Sequence, residues 1–137
     1  DQAEMVYRQV LSVSPRYFSA WVNLGLVLMD QQRYAEAEDV FYQATLLDSE
    51  DNRVVSLLAR TLLAQKKWEE AEKYYRIVLD MKPDSKRYRL EYIRVLIAHG
   101  KFQEAIQEAE KGIKLFPKSK LMKKELNIAK EKLNIET

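Results

Sequence analysis

Cysteine is absent from this chain, which removes a disulfide framework, a thiolate metal site and a cysteine nucleophile at once. The single histidine, His99, cannot build a transition-metal cluster. Its place before Gly100, at the end of an apolar-periodic segment, marks a surface or capping residue rather than a catalytic base. Three glycines and three prolines are too few for the tight turns of an all-β domain, and no glycine-rich phosphate loop occurs. No apolar run approaches the roughly 20 residues that cross a bilayer, so no membrane insertion is expected. A net charge of only +2 is too small to argue for nucleic acid by itself, and such a partner is not expected. No signal peptide opens at residue 1, and a chain beginning "DQAEMVY" reads as a piece of a larger protein. It is expected to be soluble, with cytoplasm and periplasm both open as compartments.

What is present is repetition. Ala, Glu, Lys, Leu, Gln and Arg dominate, which makes helix the default. Pro15, Ser49, Pro83 and Pro117 recur at one constant interval, and Ala3, Ala37, Ala71 and Ala105 recur at the same one. The aromatics Tyr34, Trp68 and Phe102 keep that step, as do Glu36, Glu70 and Glu104, and Tyr7, Phe41 and Tyr75. Several chemical classes holding one register define a repeating unit of about 34 residues.

Each unit carries two helical patterns. In the first full copy Trp21, Leu24, Gly25 and Leu28 share a face, then "DQQR" breaks the periodicity, and Tyr34, Ala37, Phe41, Ala44 and Leu47 share a second face. The next copies repeat this with Val55, Leu58, Ala59, Leu62 and Trp68, Ala71, Tyr75, Val78, and then with Arg89, Tyr92, Ile93, Leu96 and Phe102, Ala105, Ala109, Gly112. Each copy is thus a helical hairpin, and proline follows the second helix, where it cannot continue it. Ala37, Ala71 and Ala105 are expected at the tightest crossings, faced by Gly25 and Ala59, with Tyr34, Trp68 and Phe102 filling the space between hairpins.

The run "WVNLGLVL", followed by Tyr34, Ala37, Phe41 and Ala44 within one unit, resembles the tetratricopeptide repeat. The resemblance covers nearly the whole chain and implies an all-α fold, a right-handed superhelix of antiparallel helical hairpins in a single array. Residues 1–17 would be the second helix of a truncated repeat, 18–51, 52–85 and 86–119 full repeats, and 120–137 a C-terminal capping helix. The third copy departs from the pattern, with Ile93 for Gly or Ala and Ala109 for an aromatic. This reads as a volume swap, since overpacking would otherwise cost about 1–3 kcal/mol, or else as a third hairpin that opens slightly differently.

In the last segment Leu121, Leu126, Ala129 and Leu133 form an apolar stripe, while Lys118, Lys120, Lys123, Lys124, Lys130 and Lys132 solvate the rest, as a terminal cap requires. At the other end, residues 1–13 leave an apolar helix face uncovered. Further repeats would precede Asp1, or copies would self-associate through that face.

Nothing here assembles catalytic chemistry, so neither enzyme activity nor a cofactor nor a small-molecule substrate is expected. The carboxylates of "AEAED" and "EEAEK" read as solvated outer faces. The function then lies on a surface. In the family, first helices line a concave groove for peptides or partner helices. The corresponding positions are Ser19, Val22, Leu26 and Met29; Arg53, Ser56, Arg60 and Leu63; and Arg87, Leu90, Arg94 and Ile97. Arg53 with Arg87, and Arg60 with Arg94, stand one repeat apart. Arginines beside apolar residues suit a protein or peptide partner with acidic and apolar side chains, unless nearby acids neutralise them. At the positions of the family's carboxylate clamp for chaperone tails stand Val22, Leu26, Leu57, Arg87 and Glu91; only Arg87 fits. The resemblance therefore implies a protein-interaction scaffold. Its alternatives are the recruiting or regulatory array of an enzyme such as a glycosyltransferase, or the periplasmic array of a bacterial secretion or envelope-assembly protein. RNA binding would show as steep salt dependence.

Overall fold

The computed structural model describes residues 1–136, of Glu136 the backbone only; Thr137, the end of the expected 120–137 segment, lies outside the described residues. Among them are eight α-helices and no strand: α1 (Gln2–Val13), α2 (Phe18–Asp30), α3 (Tyr34–Leu47), α4 (Asn52–Ala64), α5 (Trp68–Met81), α6 (Lys86–Ala98), α7 (Phe102–Leu115) and α8 (Lys120–Glu136). The starts and ends of α2, α4 and α6 advance by the sequence period without drift, as do those of α3, α5 and α7. Contacts divide the chain into two compact units, Asp1–Tyr74 and a second beginning at Tyr75, with the boundary inside α5.

The period is kept by backbone chemistry that recurs in every turn. Gln32, Lys66 and Gly100 all adopt left-handed backbone, with φ of 61°, 61° and 77°. In each turn the next residue's N–H reaches back five residues: Arg33 to the Leu28 carbonyl, Lys67 to Leu62 and Lys101 to Leu96, at 2.9, 3.0 and 2.8 Å. The left-handed residues themselves donate to Met29, Leu63 and Ile97. This is the Schellman closure, which satisfies the last carbonyls of the first helix while reversing the chain in three residues. Between hairpins, a second periodic device starts the next helix. Asp51, Ser85 and Ser119 accept hydrogen bonds from backbone N–H groups two or three residues on, the usual N-cap.

A third recurrence hides behind unlike side chains. Trp21 Nε1 donates to the Pro15 carbonyl at 2.8 Å, and Arg89, two repeats on, donates to the Pro83 carbonyl at 3.0 Å. Arg89 is buried and also binds Glu108 at 2.8 Å, so its charge enters the interior paired. Two donors of different chemistry thus tie α2 and α6, the first helices of their hairpins, each to the proline turn before it.

In the first unit α2 packs between α1 and α3, and α3 also packs on α4. Gly25 lies against the Phe41 ring, which the small-residue pattern did not name: a β-carbon at Gly25 would lie 2.3 Å from it. Ala37 and Phe41 are both fully buried, whereas Ala3, at the same register in α1, is exposed. Tyr34, Trp68 and Phe102 are only half-buried. The acids are not all solvated: Glu72 is buried, and Glu38 is engaged by Lys67 at 2.9 Å and Gln65 at 2.8 Å. Charge also anchors α1, because Arg33 clasps both Glu4 and Glu36, while Arg8 binds Glu4 at 2.9 Å. Those hydrogen bonds, from Arg33 first and then Arg8, hold the Glu4 carboxyl down at about 2.

In the second unit α6 packs on α7 and α8, and α7 packs on α8. Ile93 and Ala109 are both fully buried at the register that Gly25 and Phe41 hold in the first copy, which fits an exchange of volume between the two positions. The stripe on α8 is corrected. Leu121 is 47% exposed, and the buried face is Met122, Glu125 and Ala129, with Leu126 and Leu133 half-buried. The reason is Gly112, whose missing β-carbon leaves the space that Met122 Sδ fills, 2.7 Å from where that carbon would stand.

Three outcomes follow from this packing. Gly25→Ile is expected to destabilise by about 1–3 kcal/mol in urea titrations, and Phe41→Ala added to it recovers part of the loss, because the double change copies Ile93 and Ala109. Lys66→Gly, copying Gly100, should raise stability by up to about 1 kcal/mol by relieving left-handed strain. In an NMR pH titration Glu4 should ionise near 2 and return toward ordinary carboxylate values in Arg33→Gln. Being depressed, it stabilises the fold at neutral pH, and that contribution is lost as pH falls from the carboxylate range through 2.

Candidate partner-binding surface

The positions named from the repeat register run along each first helix at i, i+3, i+7 and i+10, a single line on a helical surface. On α2 this line stays open. Ser19 is exposed, Val22 and Met29 are half-buried, and Leu26 is 39% exposed, while Leu24, Gly25 and Leu28 on the opposite side are buried. On α4 Arg53 is exposed and Arg60 and Leu63 are half-buried; on α6 Arg87 and Arg94 are exposed and Ile97 is half-buried.

Two of the positions are closed. Ser56 is 2% exposed and Leu90 is 6% exposed, so neither offers its side chain to a ligand in this structure. The cause is the width of the buried arc: seven of the thirteen residues in α4 and in α6 are buried, against four of thirteen in α2. Ser56 and Leu90 fall at the edge of that wider arc.

The arginines divide in the same way. Arg53 is held by Asp51, the N-cap of α4, at 3.0 Å, and the Arg53 guanidinium holds the Asp51 carboxyl below its usual range. Arg87 lies 3.4 Å from Glu91 one turn on, and Arg94 binds Glu125 of α8 at 3.0 Å. Glu125 is almost wholly buried, so Arg94 compensates a carboxylate that would otherwise be stranded. Arg60 alone of the four has no hydrogen bond or ion pair among the described residues. Glu91 adds an unmet acceptor, since its Oε2 is buried without a hydrogen-bond partner. Such an atom costs free energy until a donor reaches it.

Sequence reasoning kept open that nearby acids neutralise the arginines but did not name Asp51, Glu91 and Glu125 as those acids. Asp51 and Glu91 were within reach, two and four residues from their partners. Glu125 was not, because only the packing of α8 on α6 brings it to Arg94. Among the described residues no group of three or more His, Asp or Glu side chains is placed to hold a metal ion, and no helix is long and apolar enough to cross a membrane.

Solved structures with the same hairpin arrangement are numerous. MamA superposes with a TM-score of 0.86 at 18% identity, over 96% of this chain and 72% of that one. YrrB, described as a TPR protein with an unusual peptide-binding site, gives 0.82 at 18% identity over 93% of this chain and 66% of its own. The second TPR domain of human RPAP3, solved with the HSP70 peptide SGPTIEEVD, gives 0.72 at 22% identity, over 80% of this chain and 92% of that domain. At these identities the likeness is one of fold. Two tetratricopeptide repeat models match the sequence itself, over residues 16–84 and 56–120. The recurring turns, caps and small-to-large contacts together with these matches make the chain a member of the tetratricopeptide repeat family.

Proposed function

We propose that the chain is a protein-interaction scaffold that takes a peptide or partner helix on the open positions of its first helices α2 and α4. The observation that carries this reading is the row Val22, Leu26 and Met29. On α2 Leu26 is exposed and Val22 and Met29 are half-buried, whereas Leu24 and Leu28 on the same helix are fully buried. A partly exposed apolar row on a helix is an anchor line for a partner. Arg60, which has no hydrogen bond or ion pair among the described residues, supplies a site for one carboxylate.

The partner's chemistry narrows accordingly. Two full rows of free arginine would have favoured a strongly acidic ligand, but Arg53, Arg87 and Arg94 are already paired. A ligand with mainly apolar contacts and a single acid suits the surface better. The peptide-bound RPAP3 domain and YrrB support peptide binding as a use of this fold. The chaperone-tail mode is not favoured, because Arg87 is the only match to that clamp.

A library of short peptides screened against the chain tests the proposal, with affinities measured by calorimetry. Leu26→Asp and Arg60→Glu are each expected to weaken the best binder by about tenfold or more, while leaving the melting temperature within a few degrees. Unchanged affinity in both variants removes this surface as the binding site.

A further inference from the structure

Charge is polarised along this chain. Residues 1–74 carry eight Lys and Arg against twelve Asp and Glu, and residues 75–137 carry fifteen against nine. The modest net charge of +2 therefore hides segments of −4 and +6.

In the first unit the negative excess has a receptacle. Glu38, Asp39 and Tyr42 of α3 and Glu70 and Tyr74 of α5 line a cleft of ≈ 240 Å³ floored by α4. Glu38 is engaged by Lys67 and Gln65, but Asp39 and Glu70 carry no hydrogen bond or ion pair among the described residues. The tyrosine faces add an attraction for cations, and Lys73 Nζ already stands 5.5 Å from the centroid of the Tyr74 ring. Burial first, then Tyr42, Glu70 and Glu38, push the Tyr74 hydroxyl above its ordinary value, as a negative environment requires. The cleft suits an ammonium or guanidinium group and repels an anion.

The same chain carries a matching group. Lys118, Lys120, Lys123, Lys124, Lys130 and Lys132 are exposed and have no side-chain partner among the described residues. Lys123 and Lys130 lie seven residues apart, two turns or about 10 Å along α8, away from the buried Met122 and Ala129. They are presented on a formed helix, so little ordering accompanies docking.

We infer that copies of this chain associate head to tail, with Lys123 and Lys130 of one copy docking on the Asp39, Tyr42, Glu70 and Tyr74 cleft of the next. A second copy is the occupant because Lys123 and Lys130 match Asp39 and Glu70 in number and oppose them in charge, on a helix where these lysines have no side-chain partner among the described residues. The contact joins two different surfaces, so assembly grows with concentration instead of stopping at a dimer. The pairs are exposed and salt screens them, so association is weak and confined to low ionic strength.

Sedimentation velocity of the chain at about 0.05 M and about 0.5 M salt tests this. At low salt the mean mass is expected to rise with concentration, and at high salt to fall to the 16.2 kDa of one copy. Asp39→Asn with Glu70→Gln should weaken association about tenfold. Asp39→Lys with Glu70→Lys, and Lys123→Glu with Lys130→Glu, should each be monomeric alone and reassociate when mixed, with circular dichroism showing that each is folded. A wild-type chain that stays monomeric at low salt overturns the inference, as does association indifferent to the Asn/Gln variant or swapped variants that fail to rejoin. Association that survives high salt and is lost in Val6→Ser with Val13→Ser also overturns it, in favour of the apolar face of α1.

Discussion

The ring of Phe41 occupies the space where a β-carbon on Gly25 would stand, and the geometry of the first hairpin follows from that intrusion. Two helices can approach this closely only if one of them yields its side chain at the crossing. The same rule brings Met122 of α8 onto Gly112 of α7. In the third copy Ile93 and Ala109 hold the two roles in reverse, and both are fully buried. The fold therefore accepts the larger side chain at either of the two register positions.

Helix limits were legible because repetition averages out the ambiguity of any single segment. A proline in one copy and a serine in the next mark one turn, and four copies agree where one would not. The contact of Gly25 with Phe41 was not legible, since the small-residue pattern named only Ala37 opposite it. Helical side chains lean toward the N-terminus, so periodicity names a face without naming which residue of the facing helix reaches it. Leu121 and Met122 were indistinguishable by hydropathy, and only the gap at Gly112 selects between them. The donor role shared by Trp21 and Arg89 was concealed because hydrophobic patterning sorts by polarity, whereas the Pro15 and Pro83 carbonyls require only an N–H.

The surface was less legible than the scaffold for a physical reason. Register places a residue on a face, but its availability depends on how much of the helix is covered and on which counter-charges fold back to it. Ser56 and Leu90 were closed by the breadth of burial on α4 and α6. Arg94 was claimed by Glu125, which is distant in sequence and sits on another helix. Leu26, Met29 and Arg60 remain, at positions where the repeat leaves identity free.

The three-residue turns at Gln32, Lys66 and Gly100 have a consequence for how such a chain can change. Each turn closes with two backbone hydrogen bonds and holds one residue already in left-handed backbone, so it has no slack. An inserted or deleted residue there would break both closing bonds and rotate the second helix off its buried face. Length within a hairpin is therefore quantised. Such a chain lengthens by whole copies and diversifies by substitution on its open faces, so a stable frame and a changeable surface are inherited separately.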